Sequence, residues 1–262
     1  MNREAPVAMD VRLMNTAAGI LFLVFVLASL FAMTRWASAH NAFAFQRITV
    51  LGDVNHCNVA TVRAHVASRV KGTFFNMDLG STREAFEAIP WVRHAVVHRD
   101  FPNRLRVQLQ EHQVVAFWGE ESEQRLLNSY GEVFDANVGE VEQSSLPRLN
   151  GPQSQSALVL AGYQLIEPQF SALNLKIEAL ELSSQGSWHI ILPSGATIQA
   201  GRGDADALST RTQVFLKSLS SVVKSYKLPL SALESADLRH ENGYAIRLRG
   251  FNTIAATPSP TP

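Results

Sequence analysis

The sequence predicts an α+β protein hung from one N-terminal helix, and three observations carry that reading. Leu13 to Thr34 is a block of 22 residues without a charge. Residues 47–112 then read strand, helix, helix, strand, strand. From residue 113 onward, alternating strands are interleaved with two helical stretches and close on a hairpin signal, giving a mixed β-domain.

The first element is the block "LMNTAAGILFLVFVLASLFAMT". As a helix it spans about 33 Å at roughly 1.5 Å per residue, enough to cross a bilayer core of about 30 Å. Arg12 and Arg35 bracket it, and Trp36 sits where an aromatic anchor meets the membrane surface. Ala37-Ser38-Ala39 has the form of a signal-peptide cleavage site, so removal of the segment is the competing reading. The apolar stretch exceeds a signal core, and Arg35 and Trp36 interrupt the approach to that site, which favours a retained transmembrane helix. Arg3 and Arg12 precede the span and Arg35 and Arg47 follow it, a near tie for charge bias. Size favours a short cytoplasmic tail, residues 1–12, with the globular part outside the cytoplasm.

After a connector over residues 35–46, "RITVLGD" alternates and stops at Gly52-Asp53, so Arg47 to Leu51 reads as a strand. Asn58 caps a helix carrying Val59, Val62, Val66 and Val70, and Lys71-Gly72 ends it. Ser81-Thr82-Arg83-Glu84 is a capping-box sequence opening a second helix, which Pro90 closes. Val92 to Arg99 and Leu105 to Glu111 are strands joined by Phe101-Pro102-Asn103. The two helices are expected on one face of this three-stranded sheet.

The second region, residues 113–250, opens with the strand "VVAFW". "RLLNSYGEVF" reads as a hairpin turning at Tyr130-Gly131, and "LPRLNGP" as a Pro/Gly-marked connection. Helical spacing runs through Ala157, Leu160, Ala161 and Leu165, with Pro168 ending or kinking the helix. Leu175 to Leu182, Ser187 to Leu192 and Ala196 to Ala200 alternate as strands. A helix over Asp206 to Tyr226 places Leu208, Val214, Phe215, Leu219 and Val222 on its apolar side. Asn242-Gly243 predicts a C-terminal β-hairpin, and the Pro-rich residues 251–262 read as a disordered tail.

Composition narrows the function. The 23 basic and 23 acidic side chains cancel, and a nucleic-acid footprint needs clustered Lys and Arg. Cys57 is the only cysteine, so neither an internal disulfide nor a thiolate zinc site is expected. "GRGDAD", Gly201 to Asp206, stands where a phosphate loop would, but its sixth residue is Asp and no Lys-Ser/Thr follows. It reads as a turn and helix entry. His94 and His98 on a strand lie about 13 Å apart, too far to share an ion. No nucleophile elbow occurs, and the carboxylates show no acid/base spacing. The expectation is a scaffold without catalytic, cofactor or metal residues and without a small-molecule substrate.

"IPWVRHAVVHRDFPNRLRVQLQEH", Ile89 to His112, with "VVAFW" after it, resembles the P-W-V…V-x-R-x-[W/F]-P-x-x-L-x-V-x-E signature of the FtsQ/DivIB family. The matching positions are Pro90, Trp91, Val92, Val97, Arg99, Pro102, Leu105, Val107 and Glu111, closing on Ala116 and Trp118. "LLNSYGEVF", "LPRLNGP", "GSWHIILPSGATIQAGR" and "DLRHENGYAIRLR" follow in the family's order. Departures are His98 for a usual basic residue, Phe101 for a common Trp, and Leu248 near a position often held by Trp.

The resemblance implies a single-pass inner-membrane protein of the bacterial division septum. It implies a POTRA domain over residues 47–112 and a β-domain over 113–250. It further implies scaffolding: binding of FtsB and FtsL in an FtsQBL complex, and a link between early divisome proteins and late septal peptidoglycan synthesis. Carried over by motif, the FtsB-docking edge is Arg239, His240, Asn242, Gly243, Tyr244, Ile246 and Leu248. Arg239 is cast as the partner of a carboxylate; Tyr244, Ile246 and Leu248 share one strand face, which either meets the partner or packs on the domain's own helix. His94, His98 and Arg99 are secondary candidates for septal recruitment. The rivals are a POTRA component of outer-membrane assembly or secretion, which would need a following barrel, and a membrane-anchored periplasmic enzyme.

Overall fold

The structure is a computed structural model that describes residues 9–39, 45, 47–52, 54–57, 59–66, 73–120, 122, 125–141, 146–240 and 243–250. The expected cap Asn58, the stop Lys71-Gly72, Asn242 of the hairpin turn and the 251–262 tail lie outside the described residues, as do most of the N-terminal tail and the connector. The chain divides into two compact units, residues 1–111 and 112–262.

In the first unit, α1 runs over Met9–Ala39, beyond both ends of the uncharged block. Its stretch Asp10–Trp36 is long and apolar enough to cross a membrane and is not buried in the protein. The sheet is built from β1 (Arg47–Gly52), β2 (Val92–Asp100) and β3 (Arg104–Glu111), in the order β1-β3-β2. β1 lies parallel to β3 and β2 antiparallel to it. β3 alternates strictly, with Leu105, Val107 and Leu109 buried and the intervening polar residues exposed, so one face joins the core and the other meets water.

α2 (Val59–Val66) and α3 (Leu79–Glu87) complete the unit, and α3 packs on β2. α3 begins earlier than the Ser81–Glu84 box predicts. Asp78 is the N-cap, its side chain accepting from the Gly80 amide at 2.8 Å, and Ser81 and Thr82 instead donate to the Asp78 carbonyl. A carboxylate satisfies an orphan amide and favours the positive helix end. That placement lets Ala85 and Phe86 face the core.

The second unit holds one nine-stranded sheet, in the order β12-β11-β10-β9-β8-β7-β4-β5-β6. Its strands are β4 (Val114–Trp118), β5 (Arg125–Asn128), β6 (Val133–Phe134), β7 (Arg148–Asn150), β8 (Ala179–Leu182), β9 (Ser187–Ile191), β10 (Thr197–Arg202), β11 (Leu233–Asp237) and β12 (Ala245–Leu248). Two helices, α4 (Ser156–Ser171) and α5 (Ala205–Ser225), pack against each other and reach β7, β8 and β10. Trp118, Trp188, Phe170 and Phe215 are fully buried between these layers.

Several sequence expectations change here. "LPRLNGP" is not a connection: its Arg148–Asn150 forms β7, parallel to both β4 and β8. The strand expected from Leu175 shortens to β8, although Ile177 still enters the core. α4 continues past Pro168 to Ser171. The carbonyl that Pro168 leaves unbonded belongs to Gln164 on the exposed side of the helix, where water can take it. Val214 points outward at 61% exposure, and Leu216 and Val223 take up the buried stripe with Leu208, Phe215 and Leu219.

The turn at Tyr130-Gly131 forms where expected. Gly131 has φ +79°, and a Cβ there would lie 2.6 Å from the Ala157 backbone, so only glycine fits. Buried Asn128 organises this turn, accepting from the Tyr130 and Glu132 amides at 2.9 Å each and donating to the Glu132 carboxylate at 2.7 Å.

Candidate partner-binding surface

The β12 margin is built by the last two strands. β11 runs parallel to β10, and β12 returns antiparallel to β11 with Asp237 opposite Ala245 and Ala236 opposite Ile246. The two strands pair as the expected C-terminal hairpin, with Asn242 of its turn outside the described residues. Leu238 sets that geometry: its amide donates to the Gln199 carbonyl at 2.8 Å and its side chain is buried. The parallel pairing to β10 thus holds the chain beyond Asp237, before it can turn. β12 is the outermost strand, with no strand beyond it among the described residues. Its free flank is a row of backbone donors and acceptors.

The predicted residues separate into two groups. Leu248 is buried at 8% exposure and belongs to the core, while Tyr244 and Ile246 are half-buried against it. The Tyr244 ring meets Phe215 of α5 edge-on at 5.2 Å. The shared face of these three residues packs on the domain's own helix layer, so Leu248 is a core residue rather than an exposed contact. By strand alternation Ala245 and Arg247 point outward, and both are exposed; Arg247 lies 3.4 Å from Glu234. Arg239, His240 and Gly243 are exposed in the loop.

Arg239 already holds a carboxylate of its own chain. Its guanidinium donates to Asp237 at 2.6 to 3.1 Å, and this bonding holds the Asp237 carboxyl down to about 2. The same interaction raises Arg239 further. A partner carboxylate at Arg239 has to share it with Asp237.

Beside the loop lies an open cleft of about 720 Å³ that sequence reasoning missed. Arg202, Arg211, Arg239 and His240 line it together with Gln185 and Ser187. Arg211 reaches across from α5 and donates to the carbonyls of Ala200 and Arg202, while Arg202 contacts the Gln185 side-chain oxygen at 3.4 Å. Those acceptors are neutral, so both guanidinium charges persist in the cleft. The register of β10 slips between Gln199 and Gly201. Gly201 has φ +79°, and a Cβ there would stand 3.0 Å from Arg211 Nη1 and 3.4 Å from Arg239 Cγ. Glycine at this bulge is what lets the two arginines converge. The only sequence signal was the Gly-Arg-Gly at 201–203, which carries the bulge.

The arrangement offers positive charge and a sheet margin side by side, suited to an extended acidic segment. Among the described residues no three His, Cys, Asp or Glu side chains gather as a metal set.

In the first unit, β2 brings His94 and His98 to one exposed face, with Val96 between them. His94 Nδ1 lies 3.0 Å from Glu87 Oε1. Arg99 falls on the opposite parity and donates to the Met77 carbonyl at 2.6 Å. Two of the three recruitment candidates therefore share a surface, and Arg99 ties β2 to the segment before α3.

Most other signature positions are structural. Trp91, Val92, Leu105 and Val107 are buried. The His56 ring stacks on Trp91 at 3.9 Å. Glu111 is buried and its carboxylate accepts the amides of Asn55, His56 and Cys57 at 3.0, 3.1 and 2.8 Å.

Comparison with known proteins agrees with this division. The profile described as Cell division protein FtsQ/DivIB, C-terminal, matches residues 116–239, and that described as POTRA domain, FtsQ-type, matches residues 43–112. The chain is 36% identical over 249 residues to Cell division protein FtsQ of Burkholderia pseudomallei, covering 95% of this chain and 97% of that protein. It is 34% identical over 266 residues to Cell division protein FtsQ of Thiomonas arsenitoxydans, covering 98% and 96%. The protein of that name from Bordetella pertussis is 33% identical over 256 residues, covering 91% and 92%.

Proposed function

The chain belongs to the FtsQ/DivIB family of cell division proteins, and on that premise we propose that it is a non-catalytic scaffold recruiting FtsB and FtsL through the β12 margin. In this reading the tail before α1 is cytoplasmic, α1 is retained in the inner membrane, and both folded units work in the periplasm at the septum. Residues 47–112 form the POTRA domain and residues 113–250 the β-domain. FtsB adds an extended segment along β12, and its acidic side chains enter the arginine cleft. The scaffold thereby joins early divisome proteins to late septal peptidoglycan synthesis. His94 and His98 belong to a separate recruitment face.

The observation that supports this most is the juxtaposition of an outermost strand with Arg202, Arg211 and Arg239. Strand addition satisfies backbone groups without regard to sequence, and the cleft supplies charge selection beside it. The test is co-purification of FtsB and FtsL with a chain ending at His240, which keeps the cleft and removes β12. Binding is expected to be lost. Undiminished capture removes the β12 margin from the account.

A further inference from the structure

Four phenylalanines of the first unit form a patch that the scaffold reading does not use. Phe74 is its centre, with ring centroids 6.4 Å from Phe45, 5.4 Å from Phe75 and 5.7 Å from Phe101. Phe101, at the turn between β2 and β3, is 65% exposed, and Phe75 is 51% exposed. Phe45 and Phe74 are half-buried. Two arginines lie close to the patch along the chain, and the guanidinium of one, Arg104, is 3.7 Å from the Asp100 carboxylate. Arg47 follows Phe45 at the start of β1, and Arg104 follows Phe101 at the start of β3. The register places these two arginines side by side.

Chain length fixes where this patch must stay. α1 ends at Ala39 and Phe45 comes six residues later. At no more than about 3.6 Å per residue, Phe45 stays within about 22 Å of the helix end. That end lies three residues past Trp36, the aromatic anchor of the span. Exposed rings with flanking guanidiniums, tethered so close to a bilayer, match the chemistry of an interfacial anchor: apolar rings enter the headgroup boundary while cations meet lipid phosphates.

We propose that the Phe45–Phe74–Phe75–Phe101 patch seats the first folded unit on the leaflet from which α1 emerges, making a second membrane contact beside the transmembrane helix. The occupant is the lipid surface. The proposal rests on α1 spanning the bilayer and is independent of FtsB and FtsL binding.

The test uses the full chain in nanodiscs of phosphatidylcholine and phosphatidylglycerol. Nitroxide labels are placed singly by Phe75→Cys, Phe101→Cys, Glu84→Cys on the exposed side of α3, and Leu23→Cys inside α1. Cys57 is buried, and the labelled unsubstituted chain gives the background. Accessibility to oxygen is compared with accessibility to a water-soluble nickel chelate. Labels at 75 and 101 are expected to favour oxygen, as at 23, while the label at 84 favours nickel. Equal, aqueous behaviour at 75, 101 and 84 overturns the proposal. Labels that are aqueous in lipid alone but shielded from both reagents once FtsB and FtsL are added also overturn it, and assign the patch to protein contact. An aqueous label at 23 fails the anchor itself and the proposal with it, without touching the β12 reading.

Discussion

Glu111 shows how much of a family signature is spent on holding the fold. Burial raises its carboxyl, but the Cys57 side chain and the amides of Cys57, His56 and Asn55 donate to the anion and bring the net position below the ordinary 4.5. A carboxyl lowered by folding stabilises the native state above its unfolded value and loses that contribution as pH falls through the folded value. The loop Asn55–Cys57 is therefore expected to stay latched at neutral pH and to loosen below about pH 4.5. Hydrogen exchange at those three amides checks this, and protection should drop on acidification in the native chain but be flat in Glu111→Gln. Glu111→Ala should cost roughly 2 kcal/mol, since bonds to a buried charge are lost and their donors stay behind. Asp237 presents the other kind of carboxylate. Held at about 2 by Arg239, it stays ionised at neutral and mildly acidic pH. Mild acid therefore does not release Arg239 for a partner. Arg239→Glu, which places like charge beside Asp237 and in the cleft, should lower FtsB binding about tenfold by replacing attraction with repulsion. Calorimetric titration measures it.

Within β12 the two faces should answer differently to substitution. Leu248 lies in the core and Tyr244 and Ile246 lean on it, whereas Arg247 is 74% exposed at its side chain. Leu248→Ala should cost about 2–4 kcal/mol of stability by opening a cavity. Arg247→Ser should leave stability within about 1 kcal/mol, as an exposed pair with Glu234 is worth little, yet weaken FtsB capture. Parallel denaturation and pull-down measurements separate the two effects; a stable but binding-competent Arg247→Ser removes that side chain from the docking surface. The same contrast explains what the sequence allowed. β3 was legible because its solvent-facing side writes a period of two into the chain, and α1 because an uncharged run long enough to span a bilayer is read from length alone. β7 was not: three residues between Pro147 and Gly151, bonded on both flanks, leave no period to read, and only Leu149 is fully buried. The β11–β12 pairing was legible from Asn242-Gly243, but the bond that carries the chain past Asp237, from the Leu238 amide to the Gln199 carbonyl, leaves no local mark in the sequence. The arginine cleft was hidden for a third reason. Its members come from β10, α5 and the β11–β12 loop, and no spacing in one segment records their convergence around Gly201.

At the scale of the whole molecule, each compact unit closes its own sheet and its own core. All nine strands of the larger sheet, the helices α4 and α5 and the arginine cleft belong to residues 112–250. A segment that completes its sheet and buries its own apolar layer meets the requirements of an independent domain. Residues 112–250 expressed alone should therefore unfold cooperatively in urea. If docking uses only β12 and the cleft, that fragment should bind FtsB in solution with an affinity within a few-fold of the full chain, because no contact has been removed. Residues 1–111 should then show no FtsB affinity of their own. The comparison is sharp because tethering is absent from both arms: a bilayer would add effective concentration to the full chain and mask a missing contact. A loss of tenfold or more in the fragment, about 1.4 kcal/mol, would mean that the first unit supplies part of the binding surface. The exposed His94–Val96–His98 face of β2 would then be the place to look for it.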